Sequence, residues 1–291
     1  MDYRLLTSDD EIFECVKSFE QKAFISVDFE GEFNLHCYGE HLCLVQIFDG
    51  EKYYIIDPRS QKVSKKGLDA FFSSSVEKLW FDCQSDLALI RKNYDLDCRN
   101  IYDIRVLALL IEEKGNLTSL VEKYLNIFSE EGENKKKNQQ ANWMKRPLDP
   151  SLIEYALNDV KYLHLLKPIL LEEVEKSGKS KDIKFFMYKA VSPHKIKPGY
   201  TKLVNWKRLN PEQRIYMKNF YIARDVVARR FNVPSHHVLD KHKLIGAAKD
   251  CPKTLDTAFA AFAPLSPRFL PYLKESFNRA FLEIEKEKAN I

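Results

Sequence analysis

Four carboxyl groups in this 291-residue chain stand inside segments that are otherwise apolar. They are Asp28 and Glu30 in one segment, Asp86 in a second, and Asp159 in a third, where Tyr155 comes four residues earlier. Burying several carboxylates together costs so much free energy that a fold containing them requires a compensating cation. Two divalent ions roughly 4 Å apart, bridged by carboxylates, are common machinery for cleaving phosphodiesters. The sequence therefore predicts a two-metal site.

Local sequence patterns place these side chains on shared faces. Residues 24–30 alternate as a strand does, so Asp28 and Glu30 are expected to point to the same face of a sheet. Asp149 fits the cap of a later helix, and on that helix Asp159 falls in the centre of an apolar stripe. The stripe comprises Leu152, Tyr155, Leu163 and Leu166. An aspartate at that position is expected to face the core.

Each of these features alone also has an ordinary structural explanation. An isolated Asp-x-Glu on a strand is usually a solvent-facing pair, and a single tyrosine such as Tyr155 is more often a core aromatic residue. Asp86 alone fits a helix N-cap, because it lies between a predicted strand and a predicted helix. Asp82 and Asp103 are expected to have strand-end or capping roles, and with His36 they are left out of the predicted site.

Taken together, the residues resemble the tyrosine subclass of the DEDD 3′-to-5′ exonucleases, and within it the ribonuclease D group and the related exosome-associated nuclease. The three acidic motifs of that family are matched by Asp28 with Glu30, by Asp86, and by Tyr155 with Asp159. Residues 143–148 resemble the Trp-x-x-Arg-Pro-Leu stretch that precedes the third motif. Residues 100–105 are also similar to the family, with isoleucine in place of a threonine.

The resemblance implies a ribonuclease H-like fold and metal-dependent hydrolysis of the 3′-terminal phosphodiester, with release of nucleoside 5′-monophosphates. It implies two divalent cations, Mg²⁺ or Mn²⁺, which oxygen-only ligands favour. The implied metal ligands are Asp28, Glu30, Asp86 and Asp159. Tyr155 would orient the attacking water. Because a phenol is a weak base at neutral pH, most of the activation is assigned to the metal.

Composition predicts a soluble intracellular protein. The hydrophobic content of 45% suffices for one substantial core and a smaller one. No segment approaches the ~20 apolar residues of a membrane span, and the N-terminal residues do not resemble a signal peptide. We expect a cytoplasmic location, or a nuclear one in a eukaryote, and no membrane partner. The six cysteines include no Cys-x-x-Cys pair, which favours reduced thiols over a zinc site.

The charge is distributed unevenly along the chain. Residues 1–130 carry 15 basic and 24 acidic residues, whereas residues 131–291 carry 31 basic and 18 acidic residues. A basic remainder would help an acidic metal centre to capture a polyanion, with an affinity that depends on salt. Lysine-rich faces also keep proteins soluble. Charge alone leaves both interpretations open.

Residues 1–175 are predicted to form an α/β exonuclease domain with a mixed sheet, because strand and helix patterns alternate along them. Residues 176–204 contain eight lysines, together with glycine and prolines typical of a linker, and one short helix is expected there. Residues 205–291 have only helical patterns. The sequence therefore predicts two domains joined by a basic linker.

Residues 224–234 and 238–240 resemble the HRDC domain that follows the nuclease in ribonuclease D. Ribonuclease D carries two such domains, and this chain has room for one. Residues 205–291 hold 16 basic and 9 acidic residues. They are predicted to form a small all-α domain that binds nucleic acid.

The expected partner is RNA with single-stranded 3′ ends, tRNA precursors and other stable RNAs among them. Two alternatives stay open. One is a DNA 3′-to-5′ exonuclease, because no residue can be assigned to a 2′-hydroxyl from sequence. The other is a noncatalytic RNA-binding protein on the same fold. The sequence does not indicate a protein partner.

Overall fold

A mixed six-stranded sheet forms the centre of the N-terminal part of the chain, in a computed structural model that describes residues 2–128, 137–193 and 197–289. The strands are β1 (Tyr3–Leu6), β2 (Phe24–Phe33), β3 (Glu40–Phe48), β4 (Tyr53–Ile56), β5 (Glu77–Trp80) and β6 (Ile101–Asp103). Their order across the sheet is β1-β4-β3-β2-β5-β6. Strands β1 and β4, β2 and β5, and β5 and β6 pair in parallel, whereas β3 and β4 are antiparallel. The predicted mixed α/β sheet is confirmed.

Helices cover both faces of this sheet. Helices α1 (Asp9–Phe19), α2 (Lys65–Phe72) and α3 (Gln84–Tyr94) share a buried cluster with Ile25 and Val27 of β2. Helices α4 (Ile104–Leu110), α5 (Leu117–Leu125) and α6 (Pro150–Lys176) form a second cluster that includes Leu79 of β5. The central strands are therefore buried on both sides, which is typical of α/β proteins.

Local sequence signals set where several helices begin. The side chain of Asp149 caps α6 and Pro150 is its first residue, as predicted. Strand β1 and helix α1 were not predicted. Ser8 caps α1 by accepting a hydrogen bond from the amide of Glu11, while the Glu11 carboxylate accepts one from the Thr7 amide at 2.8 Å. Serine followed three residues later by glutamate is a helix-start signal that could have revealed α1.

The chain divides at a different place from the predicted boundary at residue 175. One unit contains residues 1–32 and 40–193, and the other contains residues 33–39 and 194–291. Helix α7 (Ile183–Val191) packs Ile183, Met187 and Ala190 against the cluster beneath α4 and α6. Residues 177–193 therefore belong to the first unit rather than to a linker. Residues 194–196 of the predicted linker lie outside the described residues.

The described residues of the second unit from 197 onward are mainly helical. Its helices are α8 (Pro211–Phe231), α9 (Ser235–Val238), α10 (Lys241–Asp250), α11 (Leu255–Phe262) and α12 (Leu270–Lys288). Their core is aromatic, with Phe220, Phe262 and Phe277 packed against one another at ring-centroid distances of 5.0–5.8 Å. Residues 33–39 join this unit, and the Tyr38 hydroxyl donates a 2.5 Å hydrogen bond to Asp225. None of the helices in the described ranges is long and apolar enough to span a membrane.

Candidate active site

The strand order brings the two carboxylates of β2 beside the end of β5. Strands β2 and β5 are parallel neighbours, and Ser26 pairs with Leu79 in their register. Asp28 and Glu30 follow on β2, while β5 ends one residue after Leu79, at Trp80. Asp28 and Glu30 therefore lie just beyond the carboxyl end of β5, the parallel neighbour of β2, and the carboxyl ends of parallel strands are where open α/β sheets commonly bind ligands.

Asp86 approaches this edge from the first turn of α3. Its Oδ2 accepts a 2.9 Å hydrogen bond from Nε1 of Trp80, a fully buried side chain. The alternative role of Asp86 as an N-cap is not observed, because Cys83 occupies the cap position and no side chain caps the helix. Asp86 is instead fixed by the strand that precedes its helix.

Helix α6 contributes Tyr155 and Asp159, one turn apart. Tyr155 is buried, and its ring centroid lies 6.4 Å from that of buried Trp143 at an interplanar angle of 30°. Asp159 is half-buried, and Leu163 is buried one turn further along the helix. The predicted orientation of this stripe toward the core is therefore confirmed.

The charges of Asp86 and Asp159 act on the two carboxyl groups of β2. Burial, followed by the negative charges of Asp86 and Asp159, raises the pKa of Asp28 well above its usual value. Burial also raises the pKa of Glu30 well above its usual value, and the charges of Asp28, Asp159 and Asp86 add to this effect. Groups from one strand and two helices thus repel one another when they are ionised.

The pKa of Asp86 is raised as well, and a hydrogen-bond donor opposes the increase. Burial raises the pKa of Asp86 to about 7, while the hydrogen bond from Trp80 opposes the increase. The negative charges of Asp103 and Asp82 raise it further. The hydrogen bond from Trp80 therefore favours the charged form of Asp86.

Asp103 and Asp82 have the structural roles expected of them. The buried Asp103 carboxylate accepts hydrogen bonds from the amides of Asp82, Cys83 and Arg105 at 2.8, 3.0 and 2.9 Å. It therefore caps α4 and holds the backbone that leads into α3. Asp82 is exposed and has a left-handed backbone with φ of 60°. His36 is also exposed, in the segment that joins the second unit.

Arg146 is a supporting residue whose role the sequence did not reveal. Its Nε and Nη2 donate to the two carboxylate oxygens of Asp57 at 2.7 and 2.8 Å, and its Nη2 also donates to the carbonyl of Cys43 at 2.9 Å. Its Nη1 donates to the carbonyl of Trp143 at 2.8 Å. These contacts hold the chain that enters α6, the helix that carries Tyr155. The Arg146-Pro147 pair in the family-like stretch 143–148 was the sequence signal that could have indicated this role.

The chemistry of the donor set suits a hard divalent cation. All four candidate ligands are carboxyl groups, and a cation among them would relieve the repulsion that helps to raise the pKa values of Asp28 and Glu30. Within the described ranges, no three histidine, cysteine, aspartate or glutamate side chains are arranged as a ready-made metal-ligand group. The carboxyl groups therefore interact electrostatically, but their side chains are not arranged in a metal-coordination geometry.

A family comparison defines the class of protein to which this fold and site belong. Residues 3–175 match the model of a family described as 3′-5′ exonuclease. The match spans more than half of the chain, so the chain belongs to the 3′-5′ exonuclease family. The matched region contains all five candidate residues, which come from β2, α3 and α6.

More specific similarities point to ribonuclease D. Ribonuclease D of Haemophilus influenzae is 25% identical over 262 residues, which cover 86% of this chain. The chain spans 63% of the length of that relative. The crystal structure of Escherichia coli RNase D, described as an exoribonuclease involved in structured RNA processing, superimposes with a TM-score of 0.73 at 21% identity. The superposition covers 99% of this chain and 76% of the other, and it shows that the fold is shared.

A smaller solved structure matches part of the chain and was determined with a metal ion. NrnC of Brucella melitensis with bound Mg²⁺ superimposes with a TM-score of 0.51 at 20% identity. The superposition covers 65% of this chain and 90% of NrnC. The ribonuclease D-like fold predicted from the sequence is therefore confirmed by comparison with known structures.

Proposed function

We propose that this protein is a divalent-cation-dependent 3′-to-5′ exoribonuclease. It shortens RNA from single-stranded 3′ ends and releases nucleoside 5′-monophosphates. The observation that carries the proposal is the effect of the Asp86 and Asp159 charges on the buried carboxyl groups of Asp28 and Glu30, within the region that belongs to the exonuclease family. Keeping these charges together in the fold is unfavourable in free energy. A bound cation would offset this unfavourable contribution.

The four carboxylates are the proposed metal ligands. Asp28, Glu30 and Asp159 would hold one ion, and Asp28 with Asp86 would hold a second. Bound Mg²⁺ or Mn²⁺ supplies a water of lowered pKa and neutralises charge on the phosphodiester. The hydrogen bond from Trp80 keeps Asp86 oriented and favours its ionised form.

Tyr155 is proposed to orient the attacking water. Its ring is buried beside Trp143, so the side chain has little freedom to turn away. Arg146 supports this arrangement by holding the carbonyl of Trp143 and the carboxylate of Asp57. Tyr155, Asp28, Glu30, Asp86 and Asp159 together form the proposed catalytic set.

RNA is the proposed substrate because relatives that match 86% and 82% of this chain are named Ribonuclease D. Processing of tRNA or other stable RNA 3′ ends is the proposed role. The second unit, with its HRDC-like sequence, is proposed to bind nucleic acid, and the 16 basic against 9 acidic residues of 205–291 support this.

The decisive experiment incubates 5′-labelled RNA and the matching DNA with the protein in Mg²⁺, Mn²⁺ or a chelator. A ladder of RNA products, each shorter by one nucleotide and dependent on metal, is the expected result. The Asp28→Asn variant, purified in parallel, controls for contaminating nucleases. Equal shortening of DNA would favour a DNA exonuclease. RNA binding without shortening in any metal would favour a noncatalytic RNA-binding protein.

A further inference from the structure

Helix α7 has one face packed on the first unit and an opposite face rich in exposed aromatic rings. Ile183, Met187 and Ala190 pack against the cluster beneath α4 and α6. On the other side the rings of Phe185 and Tyr188 are 56% and 72% exposed, and Phe186 beside them is 44% exposed. We call the exposed residues Lys184, Phe185, Phe186, Tyr188 and Lys189 the α7 surface.

This exposure calls for an explanation because three large rings lie together. Burying an aromatic side chain stabilises a protein relative to leaving it exposed, and contiguous exposed apolar surface commonly marks a binding site. Phe185 and Phe186 already contact each other edge to face, with ring centroids 5.4 Å apart. Phe185 and Phe186 thus form one exposed pair, and Tyr188 stands one helical turn after Phe185.

The charges beside the patch are mainly positive. Lys189 Nζ lies 4.3 Å from the ring centroid of Phe185, so a cation is held directly against the exposed ring. Lys184 belongs to the same surface and Lys181 lies one turn earlier, whereas Asp182 is the single acidic residue between 177 and 193. Rings flanked by lysines suit a ligand with flat bases and a negative backbone.

The C-terminal end of α7 adjoins the start of the helix that carries a candidate metal ligand. The side-chain amide of Gln84 donates to the carbonyl of Ala190 and, at 3.4 Å, to that of Ser192. Gln84 is the first residue of α3 and stands two residues before Asp86. Phe185 lies five residues before Ala190, which is ~7.5 Å along a helix. A strand of a few nucleotides can therefore reach from the candidate site to the rings.

We propose that the α7 surface is a stacking platform for bases of single-stranded RNA upstream of the 3′ end under hydrolysis. This inference rests on the proposed exoribonuclease function and identifies a further substrate-binding surface beside the same site. Phe185 and Tyr188 stack on bases, while Lys184 and Lys189 contact phosphates. Stacking on rings does not depend on base identity, so the platform suits an enzyme that shortens RNA of any sequence.

The test measures RNA binding in a chelator, where the RNA stays intact, and cleavage separately in Mn²⁺. Phe185→Ala with Tyr188→Ala should weaken binding of an oligomer of about 12 nucleotides by tenfold or more. Hydrolysis of a dinucleotide should be unchanged, because a dinucleotide does not extend to α7. Phe185→Tyr with Tyr188→Phe keeps both rings and should retain the affinity of the unaltered protein.

Two controls separate stacking from other effects. Phe128→Ala removes a ring that is 75% exposed elsewhere in the first unit and should leave RNA affinity unchanged. Lys184→Gln with Lys189→Gln should reduce the slope of log affinity against log salt by about 1.4, the value for two contacts to a single strand. Unfolding midpoints of all variants are compared to verify that the fold is intact.

The outcomes distinguish this inference from the proposed function. Suppose that the unaltered protein binds and shortens RNA but the double alanine variant binds the long oligomer equally well. The α7 surface is then not a stacking platform for RNA, and a protein partner becomes its expected ligand. If both oligomer binding and dinucleotide hydrolysis fall together in that variant, the rings act on the active site rather than as a platform. Failure of the unaltered protein to shorten RNA would overturn the proposed function instead.

Discussion

The indole Nε1 of Trp80 donates a hydrogen bond of 2.9 Å to Oδ2 of Asp86. This bond joins the last residue of β5 to the first turn of α3. Burial raises the pKa of Asp86, and this hydrogen bond opposes the increase. A neutral donor thus helps to keep one proposed metal ligand ionised and oriented.

Trp80→Phe should weaken metal binding while leaving the fold intact. The loss of the donor is expected to reduce apparent Mn²⁺ affinity by about 10- to 100-fold, and excess Mn²⁺ should restore activity. The measurement is exonuclease rate against Mn²⁺ concentration. Trp143→Phe is the matched control, because its buried Nε1 has no hydrogen-bond partner among the described residues. Equal metal requirements in both variants would argue against the role of Trp80.

Asp28→Asn should abolish cleavage and stabilise the metal-free protein. We expect at least a 100-fold loss of rate, because a proposed shared ligand is removed. In a chelator at pH 8 the unfolding midpoint should rise, because the variant removes a charge that raises the pKa of Glu30. Glu154→Gln, an exposed carboxyl group on α6, is the control and should change neither quantity. Lower stability of Asp28→Asn in chelator would indicate a structural role for this carboxylate.

Tyr155→Phe should lower turnover by at least about tenfold, because it removes a group proposed to position water. The ring that packs near Trp143 is retained, so the free energy of unfolding should change by less than about 1 kcal/mol. Single-turnover rates and RNA affinity are measured together. Tyr162→Phe, on the same helix and half-buried, provides the comparison. Unchanged turnover in Tyr155→Phe would remove this tyrosine from the catalytic set.

Arg146→Ala should reduce the free energy of unfolding by about 2–4 kcal/mol, because the buried Asp57 carboxylate loses a bidentate partner. Urea unfolding of the single variants Arg146→Ala and Asp57→Asn and of the double variant would give the coupling energy. Arg4→Ala breaks an exposed ion pair with Glu14 and should cost less than about 1 kcal/mol. Similar losses for both arginine variants would contradict the anchoring role of Arg146.

His164 should make the protein sensitive to mild acid. Its Nδ1 lies 2.5 Å from Oγ of buried Ser26, and burial lowers the pKa of His164 to about 4, with Asp49 opposing the shift and Lys167 and Lys22 adding to it. Since the unfolded chain binds this proton near pH 6.5 and the folded chain only near pH 4, the stabilising effect is complete above pH 6.5.

This contribution is lost as the pH falls from about 6.5 toward 4. A loss on the order of 2–3 kcal/mol is expected over this window. His164→Gln should show a smaller decrease in the free energy of unfolding between pH 7 and pH 4.5, as measured by urea titration. Parallel pH profiles for the two proteins would show that His164 does not titrate as inferred.

The local elements that carry the candidate residues could be predicted from the amino-acid sequence. Alternation in residues 24–30 placed Asp28 and Glu30 on one face of a strand, and the Asp149-Pro150 start fixed which side of α6 carries Asp159. Such patterns depend on the fixed geometry of a strand or helix, so a few consecutive residues suffice to recognise them. The motif spacing was distinctive enough to predict the family.

The distant groups that support those residues could be identified only once the chain was folded. The bond from Trp80 to Asp86, the pairing of Arg146 with Asp57, and the packing of α7 on the first unit each depend on how separate elements meet. No periodicity along the chain encodes such contacts, because their partners are brought together by strand order and helix packing. The lysine-rich segment after residue 176 resembled a linker for the same reason. Its lysines indicate solvent exposure, but composition does not reveal that the other side of its helix makes apolar contacts.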